Sequence, residues 1–192
     1  MVLLVSLLIA LPQFLLLVEA RQGTILPDPL LGLLPTLDLT WAVFSVLYAA
    51  LIGTIAYLAL HPNLLLTAVN SYSLMILFRM GAMFLTALEP PPGMIELKDP
   101  FVEFFGTGKV LTKDLFFSGH TATMAVLFLN VRQPVLKYLL LAGAVVVGFS
   151  VLLQHVHYSI DVFAAPFFAW CAYGIARKAD THRTDGTRDD RG

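Results

Sequence analysis

Apolar residues along this chain gather into six runs, with polar residues collected between them. The first run, Val2 to Val18, carries no charge and is followed by Glu19-Ala20-Arg21. The second spans about Leu39 to Leu60 and stops at His61-Pro62-Asn63, which cannot continue a helix. The third, about Leu64 to Leu88, contains Arg79 and ends at Glu89-Pro90-Pro91-Pro92-Gly93. The fourth starts near Leu115 and stops before Arg132-Gln133-Pro134; the fifth covers about Val135 to Gln154, and the sixth about Ser159 to Ile175. Roughly 17–25 apolar residues cross a bilayer as a helix. The pattern therefore predicts an all-α, polytopic membrane protein with six transmembrane helices within residues 1–176. From Arg177 onward the chain is rich in Thr, Asp and Arg and lacks large apolar residues, which predicts a disordered tail over 177–192.

Composition agrees with the pattern. The 192 residues are 58% hydrophobic and 13% charged, whereas a soluble domain carries about a quarter charged residues. Mean hydropathy is +0.80. A net charge of −1 gives no footing for nucleic acid. The single cysteine, Cys171, excludes a disulfide within the chain and a cysteine metal site. Val18-Glu19-Ala20 has the look of a signal-peptidase site, but the first run lacks a basic flank and is long enough to span. A retained helix is the expectation.

Basic residues set the orientation. Six spans place both termini on one side, with Arg132, Lys137, Arg177, Lys178, Arg183, Arg188 and Arg191; the other side has Arg21, Lys98, Lys109 and Lys113. The positive-inside rule puts the termini and tail in the cytoplasm. His120, His155, His157 and Asp161 then fall near the extracytoplasmic face, whereas His61 and His182 read as solvated polar residues. The loop from Glu89 to Asp114, with Phe101, Phe104 and Phe105, has the length of a lid or binding loop.

The candidate chemistry lies in that cluster. His157 and Asp161 are four apart, so on a helix they share a face. A carboxylate on one ring nitrogen leaves the other oriented and more basic, as a nucleophile or general base requires. Ser118-Gly119-His120 opens the fourth run, where free backbone amides attract an anion and the glycine lets a phosphate approach. A second imidazole there can protonate a leaving oxygen. Phosphoryl transfer fits this set. The bland reading is a group of buried polar residues joining helices. Three imidazoles, His120, His155 and His157, also suggest zinc, but His155 and His157 do not share a helix face and no His-Glu-x-x-His motif is present. The reading has no metal and no cofactor.

Phe117-Ser118-Gly119-His120-Thr121 and His157-Tyr158-Ser159-Ile160-Asp161-Val162 resemble two motifs of the sphingomyelin synthase family, a branch of the type 2 phosphatidic acid phosphatase superfamily. Leu26-Pro27-Asp28 and the stretch from Arg79 to Gly93 resemble two more, in the same order. Lipid phosphate phosphatases of the superfamily usually have proline at position 117 and arginine at 151; here Phe117 and Val151 stand there, as in the sphingomyelin synthases. Thr112 stands where that family usually has cysteine, and Glu89 replaces a motif proline.

The resemblance implies a helical bundle of the phosphatidic acid phosphatase type. It implies His157 as nucleophile, Asp161 as its orienting partner and His120 as proton donor and acceptor. Asp114 would position an amine head group or His120, and Ser118 and Gly119 would hold phosphoryl oxygens; His155, by its place beside His157, is a substrate-binding candidate or a merely supportive neighbour. Arg79 would contact phosphate or form a buried salt bridge with a loop acid. The expected reaction moves phosphocholine or phosphoethanolamine from a membrane phospholipid donor to ceramide or a similar lipid alcohol acceptor. With water as acceptor the same site is a lipid phosphatase or phospholipase C, and without chemistry the bundle binds or scrambles lipid. The oligomeric state stays open, a homo-oligomer included.

Overall fold

The computed structural model describes residues 2–98 and 111–189, the side chains of 182–189 excepted. Phe101, Phe104, Phe105 and Lys109 of the expected lid, the His182 side chain and Arg191 lie outside the described residues. Among the described residues six helices follow in order: α1 Val2–Glu19, α2 Thr40–Ala59, α3 Pro62–Leu85, α4 Gly119–Asn130, α5 Pro134–Leu153 and α6 Ser159–Asp189. A single turn of 3₁₀ helix, Leu31–Leu33, lies in the α1–α2 connection. Among the described residues there is no strand, only an isolated bridge between Thr24 and Leu88. Pro62 and Pro134 each open a helix, where a missing N–H costs nothing.

Five of the six helices are long and apolar enough to cross a membrane. Many of their large apolar side chains point outward, among them Ile52, Phe149, Phe163 and Trp170. This is an integral membrane protein. The remaining helix, α4, corrects the expected span from Leu115. α4 begins only at Gly119 and has 12 residues, about 18 Å at 1.5 Å per residue, against a hydrocarbon core of about 30 Å. Residues before Gly119 are held out of the helix by side chains from elsewhere, described below.

Short as it is, α4 lies at the centre, packed on α2, α3, α5 and α6. Its Ala122, Met124 and Val126 are almost wholly buried. α6 turns Ala165, Ala169, Ala172 and Ala176 inward, all buried, and small residues at that spacing let helix backbones approach closely. α3 and α6 are packed together, and α1 lies against α3.

The last helix does not stop at Arg177. It runs on to Asp189, and Asp180 accepts hydrogen bonds from Thr67 Oγ1 at 2.6 Å and Asn70 Nδ2 at 3.2 Å, both on α3. These polar contacts carry the helix past the end of its apolar run.

Candidate active site

Both histidines of interest sit at helix starts. His157 lies two residues before α6, in a turn rather than on a helix face. Asp161 is in the first turn of α6 and reaches back, its Oδ2 accepting from Tyr158 N at 3.1 Å. This is the acidic arm of a capping box. The same oxygen lies 3.4 Å from His157 Nδ1. The four-residue spacing thus pairs the two side chains through the cap, not through one helical face. His157 and Asp161 are 2% and 0% exposed. With its proton on Nδ1, His157 presents the lone pair of Nε2.

Asp28 fixes the same helix start from outside. Its carboxylate accepts from Ser159 N at 2.6 Å, Ser159 Oγ at 3.1 Å and Leu31 N at 3.0 Å. Burial works against its charge, but these hydrogen bonds prevail and hold the carboxyl below its ordinary range. Tyr158, fully buried, donates to Glu89 O at 2.9 Å and accepts from Leu26 N at 3.1 Å. It ties the connection after α1 to the one after α3.

At the other start, Ser118 caps α4, its hydroxyl accepting from Thr121 N at 3.4 Å. Ser118 N donates to Asp161 O at 3.0 Å, so the two helix starts are joined directly. Arg79 reaches across from α3. It pairs with Asp114 Oδ1 at 2.6 Å, donates to Asp114 O at 3.2 Å and donates to Phe117 O. Of the two roles expected for Arg79, the ion pair with a loop acid is the contact present. Burial disfavours the Asp114 carboxylate, yet the Arg79 guanidinium outweighs it and keeps the carboxyl below its ordinary range.

Gly119 is explained by the same arginine. A Cβ there would lie 2.8 Å from Arg79 Cζ. The missing side chain makes room for the guanidinium rather than for a ligand.

His120 and His157 face each other with ring centroids 6.4 Å apart. With Asp114, Thr112 and Glu96 they line a cavity of about 80 Å³, whose apolar wall includes Met94, Leu97, Leu111 and Val156. That is enough space to admit water or a small anionic group. α4 starts one residue before His120, so its positive end favours an anion there, whereas the α6 start is already occupied by the Asp161 and Asp28 carboxylates.

Not every expected site residue reaches this cavity. Ser118 is fully buried behind it, bound to Thr121 and Asp161. His155 is turned away: its Nδ1 lies 3.1 Å from Pro92 O and its Nε2 3.3 Å from Leu34 O. It adopts φ 55°, a left-handed conformation uncommon outside glycine. Met94 N and Pro91 O close a turn with Gly93 at φ 77°, as a Pro-Gly type II turn requires. Among the described residues no three His, Cys, Asp or Glu side chains converge as a metal site. Asp28 and Glu96 were not singled out for the site; Asp28 was visible only as part of Leu26-Pro27-Asp28, and no spacing pointed to Glu96.

No curated protein matches this chain. Residues 113–178 match the family model described as PAP2 superfamily C-terminal. The matched segment is about a third of the chain and contains Asp114, Ser118, His120, His155, His157 and Asp161. The similarity reaches the type 2 phosphatidic acid phosphatase superfamily through the segment carrying both histidine motifs, and not the sphingomyelin synthase branch within it.

Proposed function

We propose that this protein is a membrane lipid phosphotransferase that moves a phosphocholine or phosphoethanolamine head group from a glycerophospholipid to ceramide or a similar lipid alcohol. One observation carries the reading: His120 and His157 oppose each other at 6.4 Å across a cavity, and His157 is backed by the buried Asp161 carboxylate. In the first step His157 Nε2 bonds to phosphorus while the bond from phosphorus to the diacylglycerol oxygen breaks. His120 gives that oxygen its proton. In the second step the acceptor hydroxyl attacks phosphorus, passes its proton to His120, and the phosphorus–nitrogen bond breaks. No metal is needed.

Support for transfer over hydrolysis comes from Phe117 and Val151. Both are fully buried, with Phe117 stacked on Phe168 at 4.5 Å. The resemblance gives the phosphatases an arginine at position 151, and here an apolar core residue fills it. Asp114 is engaged by Arg79 at 2.6 Å, so Glu96 on the cavity wall, with only a long 3.8 Å pairing to Lys98, is the better carboxylate for an amine head group. α4 completes a six-helix bundle, with both termini cytoplasmic and the site opening at head-group depth on the extracytoplasmic side.

The test uses purified protein in mixed micelles with head-group-labelled phosphatidylcholine and phosphatidylethanolamine, offered ceramide and diacylglycerol. Label in a new lipid, absent with His157→Ala, is the expected result. Water-soluble phosphocholine or phosphoethanolamine alone gives the phospholipase reading. No turnover by folded protein leaves lipid binding without chemistry.

A further inference from the structure

The residues just before Asp114 are gripped by the end of α1. Glu19 Oε2 accepts from Thr112 N at 2.9 Å and Lys113 N at 2.9 Å, and Glu19 Oε1 accepts from Thr112 Oγ1 at 2.8 Å. Hydrogen bonds to a carboxylate are roughly twice as strong as neutral ones. Three of them, on two successive residues, fix both position and orientation. Lys113 continues the network: its Nζ donates to Arg21 O at 2.7 Å and pairs with Glu89 Oε1 at 2.7 Å. That oxygen also accepts from Gly23 N at 2.8 Å. Gly23 is forced by the contact, since a Cβ there would lie 2.5 Å from Leu88 C.

What this network holds is part of the cavity wall. Thr112 itself lines the cavity, and the next acid, Asp114, pairs with Arg79. Arg79 in turn binds Phe117 O and lies against Gly119, the residue before His120. Thr112 and Glu89 are also the two positions where the sequence departs from the motifs it resembles, and both departures enter this one network.

We infer that Glu19 is a positioning residue: from the end of α1 it sets residues 112–114, and through Asp114 and Arg79 it sets the first turn of α4 and His120. Glu19 touches no substrate and acts only through this chain of contacts. Its effect on turnover rests on the proposed function; its effect on the loop does not.

The experiment compares wild type, Glu19→Gln, Thr112→Val and the double variant, in the full chain in micelles. Two quantities are read: amide hydrogen exchange over 111–120, and kcat and KM per active site, with sites counted by phosphoenzyme burst. The expected result for Glu19→Gln is faster exchange from Thr112 through Phe117, a kcat roughly tenfold lower and KM within about twofold. Thr112→Val should give a smaller effect of the same kind, and the double variant less than the product of the two. Faster exchange confined to Thr112 and Lys113 overturns the inference. So does a lower melting temperature with wild-type kcat per site, which is the mark of a purely structural contact. If Glu19→Gln does not fold, Thr112→Val alone is judged by the same criteria. If wild-type protein turns over no lipid, the transferase reading fails and the exchange pattern alone decides the inference.

Discussion

The two histidines sit at the starts of two helices, and those starts are built differently. The start of α6 is anionic: Asp161 takes Tyr158 N, and Asp28 takes Ser159 N and Oγ. The start of α4 is capped by a neutral hydroxyl, Ser118, and backed by the Arg79 guanidinium. Carboxylates are favoured at helix N-termini, so a second acidic cap on α4 would have been ordinary. On the proposed mechanism, its absence separates the tasks. In that scheme the carboxylate against Nδ1 fixes the His157 ring and leaves Nε2 to attack, whereas His120, at a helix start capped by a hydroxyl, carries the proton in and out.

The sharpest way to break the comparison is to remove each histidine in turn. His157→Ala should lose all measurable transfer, because the proposed covalent step needs its imidazole. His120→Ala should keep a residue of activity, about a hundred to ten thousand fold down, as for loss of an acid–base group. Equal losses in single-turnover phosphoenzyme formation would make the two residues interchangeable and defeat the assignment. Asp161→Asn comes next. The amide keeps the size of the side chain but places an N–H donor where either Tyr158 N or His157 Nδ1 now finds an acceptor. We expect kcat roughly a hundredfold lower, with α6 still formed, checked by circular dichroism alongside kinetics.

On the α4 side the corresponding change is Gly119→Ala. Its methyl would stand 2.8 Å from Arg79 Cζ and 2.9 Å from Nη1, so the guanidinium must move and loosen its hold on Asp114 and Phe117 O. Overpacking of this kind costs about 1–3 kcal/mol, and we expect a roughly tenfold lower kcat with an altered pH profile. A variant with wild-type kinetics and wild-type melting temperature would show that Arg79 has slack the geometry does not suggest.

Much of this site was legible in the sequence, because a polar residue inside or beside an apolar run stands out. His120, His157, Asp161 and Arg79 announce themselves that way, and the structure gathers all four. The six-helix order was legible for the same reason. What was not legible depends on distant partners. Asp28 meets Ser159 across 131 residues, and Glu19 meets Thr112 across 93. Neither residue type nor spacing marks those pairs. The length of α4 was misread because Leu115, Phe116 and Phe117 look like helix interior, while Arg79 takes the Asp114 and Phe117 carbonyls. Gly119 was read as an opening for phosphate; it is the floor beneath Arg79. His155 was read with its neighbour His157, but its left-handed backbone turns it to the Pro92 and Leu34 carbonyls.

The smallest expected effect tests the anionic start of α6 through stability rather than rate. Asp28 has its folded carboxyl below the ordinary range, held there against partial burial by its hydrogen bonds to Leu31 and Ser159. A depressed folded value means the unfolded chain binds the proton more readily. The stabilisation is therefore complete above the unfolded carboxylate value of about 3.9 and is lost as pH falls through the lower folded value. Asp28→Asn removes that charge at every pH. At pH 7 its melting temperature in detergent should fall by roughly 2–4 °C, the shift that about 1 kcal/mol gives in a chain of this length. Below about pH 4 the two curves should converge as the wild-type carboxyl takes up its proton. The matching change at the neutral start, Ser118→Ala, removes a cap of about 1 kcal/mol and should lower the melting temperature by the same amount at every pH. A pH-dependent difference for Asp28 beside a flat one for Ser118 is what two helix starts of different charge require.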